Sequence, residues 1–98
     1  MTLKTVFRRA ACREYEEAAQ WYEARRAGLG IEFTAEIDRG VRRAAEAPQQ
    51  FPVVLGDVRC VRARRFPYTI FFRVRANRIV VLAVFHARRD PAVWRERA

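Results

Sequence analysis

One histidine and a group of arginines in the C-terminal half are the side chains best suited to chemistry. They are His86, Arg62, Arg64, Arg73, Arg88 and Arg89. A guanidinium group can form two parallel hydrogen bonds to a phosphate, and arginines fixed on strands can stabilise the charge that develops as an RNA phosphate is cleaved. Histidine is the one ordinary candidate for proton transfer near neutral pH. The group therefore indicates an anion site at which RNA could be cleaved.

The same residues also have a purely structural interpretation. Surface arginines are usually solvated or paired with carboxylates, here Glu36, Asp38 or Asp57, and a single histidine at a strand end is more often a hydrogen-bonded structural residue. Trp94 also has two interpretations, because tryptophan both packs in cores and stacks on bases. The sequence has no glycine-rich phosphate loop, metal-ligand spacing or nucleophile motif, so we expect no cofactor and no metal.

Three consecutive antiparallel strands are predicted to position these side chains. They are Val58 to Arg65, Tyr68 to Arg75 and Arg78 to His86, each rich in β-branched or aromatic residues. Phe66-Pro67 and Ala76-Asn77 are the predicted two-residue turns, because proline fixes φ and asparagine tolerates the left-handed conformation that tight hairpins demand.

Counting outward from the two turns gives a register and divides the side chains between two faces. The count pairs Ala63 with Ile70 and Phe71 with Leu82. One face is almost entirely apolar and collects Val61, Ala63, Tyr68, Ile70, Phe72, Val74, Ile79, Val81, Ala83 and Phe85. The other collects Cys60, Arg62, Arg64, Thr69, Phe71, Arg73, Val80, Leu82, Val84 and His86. We expect the first face to be the core and the second face to carry the function.

The rest of the chain is predicted to cover the apolar face. The remaining elements are an edge strand at Leu3 to Phe7, amphipathic helices from about Arg9 to Arg26 and from the Gly28-Leu29-Gly30 turn to Pro48, and a short helix capped by Asp90 that carries Trp94. The segment between Pro48 and Asp57 is predicted to be a connecting loop. The result is a single α+β domain spanning residues 1–98, in which an antiparallel helix hairpin packs on a mainly antiparallel four-stranded sheet.

Composition and charge narrow the class of partner. The chain has 98 residues, 51% of them hydrophobic, and a formal charge of +9 from 20 Lys and Arg against 11 Asp and Glu. That balance indicates a folded domain with an anionic partner, either nucleic acid or an acidic protein segment. No segment has the apolar length of a membrane span or a signal peptide, so we expect a cytoplasmic protein with no membrane partner.

The order of strand, helix hairpin and three-stranded meander resembles the RelE/ParE superfamily of toxins from bacterial type II toxin–antitoxin modules. The segments that carry the resemblance are RRFPYTIFF, IVVLAVFHARRDP and the terminal WRER. The resemblance covers essentially the whole chain. It implies a small toxin that a cognate acidic antitoxin holds inactive in a hetero-oligomer, with a segment of the antitoxin covering the basic face of the sheet.

The superfamily divides by cellular target, and the resemblance implies different roles in the two branches. RelE-like members cleave messenger RNA on the ribosome without a metal, using basic residues on the concave face of the sheet. ParE-like members poison DNA gyrase and do not cut RNA. Carried onto this chain, the nuclease pattern implies catalysis by His86, Arg62, Arg64 and Arg88. The residues implied to contact nucleic acid or the antitoxin are Arg73, Arg89 and Trp94.

Two positions depart from the nuclease pattern. Thr69 stands where RelE-like enzymes often have an arginine, and Trp94 stands where they have a C-terminal tyrosine. Threonine cannot neutralise a phosphate and tryptophan has no hydroxyl group. The basic face that ends at His86 still narrowly favours ribosome-dependent mRNA cleavage. Inhibition of DNA gyrase is the alternative, and a degenerate module that only binds its antitoxin is a third hypothesis.

Overall fold

The computed structural model describes residues 2–98 as one α+β unit. The strands are β1 (Lys4–Phe7), β2 (Val53–Leu55), β3 (Val58–Arg62), β4 (Tyr68–Arg75) and β5 (Arg78–His86). The helices are α1 (Arg9–Arg25), α2 (Leu29–Glu46) and α3 (Ala92–Arg95), with a 3₁₀ turn at Pro48–Gln50. The predicted fold class, helix hairpin and C-terminal helix are confirmed.

The sheet has five strands rather than the predicted four, in the order β1-β5-β4-β3-β2. β1 pairs parallel with β5, and the other neighbours pair antiparallel. The extra strand, β2, lies in the predicted connecting loop, and its pairing with β3 is irregular between Val53 and Leu55. β2 is only three residues long and lies between Pro52 and Gly56. Because proline and glycine are typical of loops, the sequence predicted a loop here. Val54 in this strand is 43% exposed.

The connection between β3 and β4 differs from the predicted Phe66-Pro67 turn. β3 ends at Arg62, so the connection runs over residues 63–67, and Val61 rather than Ala63 lies opposite Ile70. Phe66 is 8% exposed and packs its ring edge-on to Phe33, with 5.3 Å between ring centroids. An apolar side chain of this size stabilises the fold more in the core than at an exposed turn. The shift is two residues, so the faces of β3 are unchanged.

A β-bulge in β5 changes the predicted faces at the end of the sheet. Near the Ala76-Asn77 turn, Arg75 lies opposite Arg78 as predicted, and both turn residues have positive φ (49° and 65°). The register shifts between Phe72 and Phe71. Phe72 lies opposite Val81, whereas Phe71 lies opposite Ala83 instead of the predicted Leu82. Leu82 is therefore an extra residue, and the alternation of side chains reverses beyond it.

The reversal exchanges the last side chains of β5 between the two faces. Val84 packs in the core under the helices, whereas Ala83 and Phe85 pack on the opposite face. Leu82 is also on that opposite face. The predicted faces of Ala83, Val84, Phe85 and His86 were therefore wrong, because strict alternation cannot anticipate an extra residue.

The sheet is covered on both faces. The helices pack on one face around Phe33, Ile37, Ile70, Phe72, Ile79 and Val81, all with no exposed surface. The opposite face has a second apolar cluster made of Val58, Phe71, Leu82, Ala83, Phe85 and Trp94. α3 lies over this second cluster because Trp94 belongs to it. The second face is thus a small core and only partly an open surface.

The two helices approach closely at Gly30, the second residue of α2. The backbone N–H groups of Gly28 and Gly30 donate to the carboxylate of Glu23 at 2.8 and 2.9 Å, so a side chain of α1 caps the start of α2. A Cβ on Gly30 would lie 2.6 Å from the carbonyl oxygen of Ala19. Gly30 is therefore required by the packing of the hairpin, and not by a turn as the sequence suggested.

Replacing Gly30 with alanine is expected to lower the free energy of unfolding by about 2 to 3 kcal/mol, because the Cβ would meet a backbone oxygen that cannot move alone. Gly40→Ala is the matched control within α2. Its Cβ would meet the Cδ1 methyl of Ile70 at 2.9 Å. That methyl can rotate away, and alanine adds helix propensity, so a change within about 1 kcal/mol is expected. Urea denaturation of both variants measures the difference, and equal losses would contradict the assignment of Gly30.

Candidate functional site

His86 lies in a pocket on the helix side of the sheet. The cavity has a volume of about 390 Å³ and lies between α1 and the ends of β4 and β5. Its lining consists of Glu14, Glu17, Ala18, Trp21, Tyr22, Tyr68, Val84, His86 and Arg89. Since the bulge reverses the alternation in β5, the imidazole faces this pocket and not the face that carries Arg62.

The imidazole of His86 is held by its neighbours. Its Nδ1 accepts a hydrogen bond of 3.0 Å from the backbone N–H of Arg88, so a neutral ring has its proton on Nε2. The ring of Tyr68 meets it edge-on, with 5.1 Å between centroids. Burial raises the pKa of Tyr68 and also that of Tyr22, so both hydroxyls stay protonated near neutral pH. Arg89 is the one arginine in the lining of this pocket and it pairs with Glu14, so the pocket lacks the group of free arginines that a phosphate clamp needs.

The predicted arginines lie in three different places. Arg62 and Arg73 are on the second face of the sheet, and the guanidinium of Arg73 is paired with Asp57 at 3.1 Å. A hydrogen bond from Arg75, together with the charge of Arg73, holds the pKa of Asp57 below its ordinary value. Arg64 lies past the end of β3, in a groove beside α2. The structure does not bring these three arginines to His86.

Arg89 belongs to a network around a glutamate that sequence reasoning missed. The carboxylate of Glu14 accepts hydrogen bonds from Arg89 at 2.5 Å and from both terminal nitrogens of Arg97, at 3.0 and 2.9 Å. It also accepts from the backbone N–H of Val84 at 3.0 Å. Arg97 in turn donates to the carbonyl oxygen of Leu82 at 3.1 Å. Arg88, the next predicted site residue, is exposed.

This network forms hydrogen bonds with backbone groups of β5 that have no neighbouring strand. β1 ends at Phe7, opposite Val81, so the edge of β5 beyond Val81 has no strand partner. Glu14 and Arg97 instead form hydrogen bonds with the Val84 N–H and the Leu82 carbonyl, which have no strand partner on this edge. A glutamate early in a helix is an ordinary feature, and its partners are about 70 to 83 residues away in sequence. No local pattern could have identified this role.

Trp94 packs and does not present a free face for base stacking. It is 5% exposed, and its ring stacks on Phe71 with 3.9 Å between centroids and 14° between ring planes. The carboxylate of Asp90 accepts a hydrogen bond of 3.0 Å from the N–H of Ala92, the first residue of the helix that carries Trp94. Of the two interpretations of Trp94, this geometry fits core packing.

Two further features bear on function. Among residues 2–98, no three His, Cys, Asp or Glu side chains are grouped so that they could hold a metal ion. In the same part of the chain, none of the helices has the length and apolarity to cross a membrane.

Comparison with solved structures gives the class of the fold. The structure titled "Chromosomal ParDE TA system from P. aeruginosa" aligns with a TM-score of 0.75, covering 87% of this chain and 96% of that chain at 18% sequence identity. The chain thus has the α+β fold of a component of that toxin–antitoxin system. A comparison with curated protein sequences gives no match. The family model described as "ParE toxin of type II toxin-antitoxin system, parDE" matches residues 6–91. The chain therefore belongs to the ParE toxin family.

Proposed function

We propose that this chain is a growth-inhibiting toxin that inhibits DNA gyrase without catalysis and is neutralised by a cognate antitoxin. Membership of the ParE family supports gyrase over the ribosome as the target. The observation that carries the proposal within the structure is the bulge at Leu82. It separates the one histidine from Arg62 by the thickness of the sheet, so the acid–base group and the phosphate clamp of the nuclease hypothesis do not share a site.

The antitoxin is the second part of the proposal. With a formal charge of +9, the chain suits an acidic partner in a hetero-oligomer. Arg62 and Arg88 are exposed, and within residues 2–98 neither guanidinium has an ion-pair partner. Arg73 and Arg89 are already paired with Asp57 and Glu14. An acidic antitoxin segment therefore gains more from Arg62 and Arg88 than from the paired arginines.

Inducing the chain alone in cells tests the choice of target. Pulse labels for DNA and protein are compared within minutes, and purified gyrase is assayed for supercoiling with and without the chain. We expect DNA synthesis to stop first and supercoiling to be lost. Protein synthesis stopping first, with gyrase unaffected, would restore the mRNA-cleavage hypothesis. Normal growth on induction would instead support the degenerate module.

His86→Ala is expected to leave growth inhibition unchanged, within about twofold in the dose that stops division, because the proposed inhibition of gyrase requires no proton transfer. The nuclease hypothesis predicts that the same variant loses most of its toxicity, since general acid–base groups contribute about 10² to 10⁴ in rate. Arg88→Ala tests the neighbouring position of the predicted catalytic set without removing the imidazole. Colony counts over a range of inducer concentrations give the comparison, with circular dichroism to check that each variant folds.

A further inference from the structure

A groove lined only by charged side chains lies between α2 and the connection from β3 to β4. Its volume is about 430 Å³, and its lining residues are Glu36, Arg39, Arg42, Arg43, Glu46, Arg64 and Arg65. Five arginines against two glutamates leave a formal charge of +3 on this small surface. The groove shares no lining residue with the His86 pocket.

Two of the five arginines are paired within the chain. Arg39 donates to the buried carboxylate of Glu36, with 3.0 Å from Nε to Oε1, and this bond holds the pKa of Glu36 below its ordinary value. Arg65 pairs with Glu32 at 2.6 Å. These pairs fix one wall of the groove.

The other arginines are available to a ligand. Arg42 and Arg64 are exposed, and in the part of the chain that the structure describes neither side chain forms an ion pair or a hydrogen bond. Arg43 donates only one long bond of 3.4 Å, to the carbonyl oxygen of Arg62. Three guanidinium groups thus border the same groove with free donors. Each can form two parallel hydrogen bonds to a phosphate.

The chemistry of the lining selects among anionic ligands. The centre of a protein–protein interface combines arginines with apolar and aromatic side chains, and no apolar or aromatic side chain lines the groove. Single-stranded nucleic acid is held by bases stacking on aromatic rings, which the groove also lacks. A nucleic acid duplex presents phosphates alone at its backbone and needs only cationic donors.

We propose that this groove binds the phosphate backbone of double-stranded DNA through Arg42, Arg43 and Arg64, without reading sequence. The choice of DNA over RNA rests on the proposed action at DNA gyrase, an enzyme that holds duplex DNA. The toxin would then contact the DNA as well as the enzyme, and its affinity for a gyrase–DNA complex would exceed its affinity for gyrase alone.

Fluorescence anisotropy with a labelled mixed-sequence DNA duplex of about 20 base pairs tests the proposal on the whole chain. Three phosphate contacts predict that raising salt from about 50 to 200 mM weakens binding about 40-fold. In the double variant Arg42→Ala with Arg64→Ala, the same rise in salt should weaken DNA binding only about 4-fold. At the lower salt concentration, the double variant should bind DNA at least about tenfold more weakly than the unmodified chain. The charge-matched control is Arg13→Ala with Arg78→Ala, two exposed arginines outside the groove. The control should bind nearly as the unmodified chain does.

Three results would overturn the proposal. The first is equal binding by the groove variant and the control. The second is tighter, groove-dependent binding of an RNA duplex of the same sequence. The third is tighter, groove-dependent binding of a polyglutamate peptide, which would assign the groove to an acidic protein. A gyrase supercoiling assay is run in parallel as an independent measurement of the proposed function. Gyrase inhibition without groove-dependent DNA binding overturns this inference alone, whereas DNA binding without gyrase inhibition overturns the proposed function alone.

Discussion

Phe33→Ala should lower the free energy of unfolding by about 3 to 5 kcal/mol, because it removes a fully buried aromatic ring from the core. Phe33 has no exposed surface and lies where the helices, the sheet and the β3–β4 connection meet. Its ring centroid is 5.0 Å from that of Tyr68, 5.2 Å from that of Tyr22 and 5.3 Å from that of Phe66. Truncation would leave a cavity that three other rings border, and rings collapse poorly into such space.

Urea denaturation measures this loss, and two further variants define its origin. Phe33→Leu keeps most of the volume and should cost only about 1 to 1.5 kcal/mol. Ile31→Ala is the matched control, because Ile31 lies two residues earlier on α2 and is 73% exposed. Its loss should be about 0.5 kcal/mol or less. A loss of similar size for Phe33→Ala and Ile31→Ala would show that the aromatic cluster is not the centre of the fold.

Glu14→Gln is expected to release the C-terminal segment from the edge of β5. The substitution removes a mostly buried charge that accepts hydrogen bonds from Arg97, Arg89 and the N–H of Val84, and it places an amide NH₂ group against their donors. Breaking a buried ion pair from one side costs about 3 to 5 kcal/mol. The Glu14 side chain is 11% exposed and that of Arg97 is 22% exposed. Because the network is partly solvated, we expect Glu14→Gln to lower the free energy of unfolding by about 2 to 4 kcal/mol.

Hydrogen exchange at the Val84 amide gives the most direct measurement of Glu14→Gln. A local loss of about 2 kcal/mol would speed exchange at that amide about 30-fold. Glu16→Gln is the control, because Glu16 is an exposed glutamate on the same helix with no ion pair among the described residues. Arg97→Lys should give a smaller acceleration, since lysine keeps the charge but loses the two-pronged contact. Unchanged exchange at Val84 in Glu14→Gln would mean that the carboxylate does not support this edge.

The fold was predictable from the sequence because local patterns agree with one another. β-branched and aromatic runs marked the strands, the apolar stripe through Phe33 and Ile37 marked α2, and Asn77 marked a turn with positive φ. The errors arose where a non-local contact overrides a local pattern. The core position of Phe66 lengthened a predicted turn, and the pairing of β2 with β3 converted a predicted loop into an edge strand.

The candidate site was less predictable from the sequence. Its geometry depends on which face of the sheet each side chain of β5 occupies and on contacts between residues far apart in sequence. The sequence singled out His86 and the arginines by their chemistry, but one extra residue in β5 decides which face the imidazole occupies. The network of Glu14 and Arg97 joins residues separated by 83 positions. The α2 groove did have a local signal, because Arg39, Arg42 and Arg43 are spaced to lie on one side of a helix. Only the tertiary structure adds Arg64 to them.

The extra residue at Leu82 also has an evolutionary consequence. Leu82 and Ala83 are successive residues on the same face, so deleting Leu82 would restore strict alternation along β5 and leave His86 on the helix side, without altering the order of strands or helices. A homologue that lacks the extra residue therefore aligns with this chain only through a one-residue gap in β5, and an alignment without that gap pairs residues from opposite faces. Residue-by-residue transfer of active-site roles between homologues with and without the bulge would assign this histidine to the wrong side of the protein.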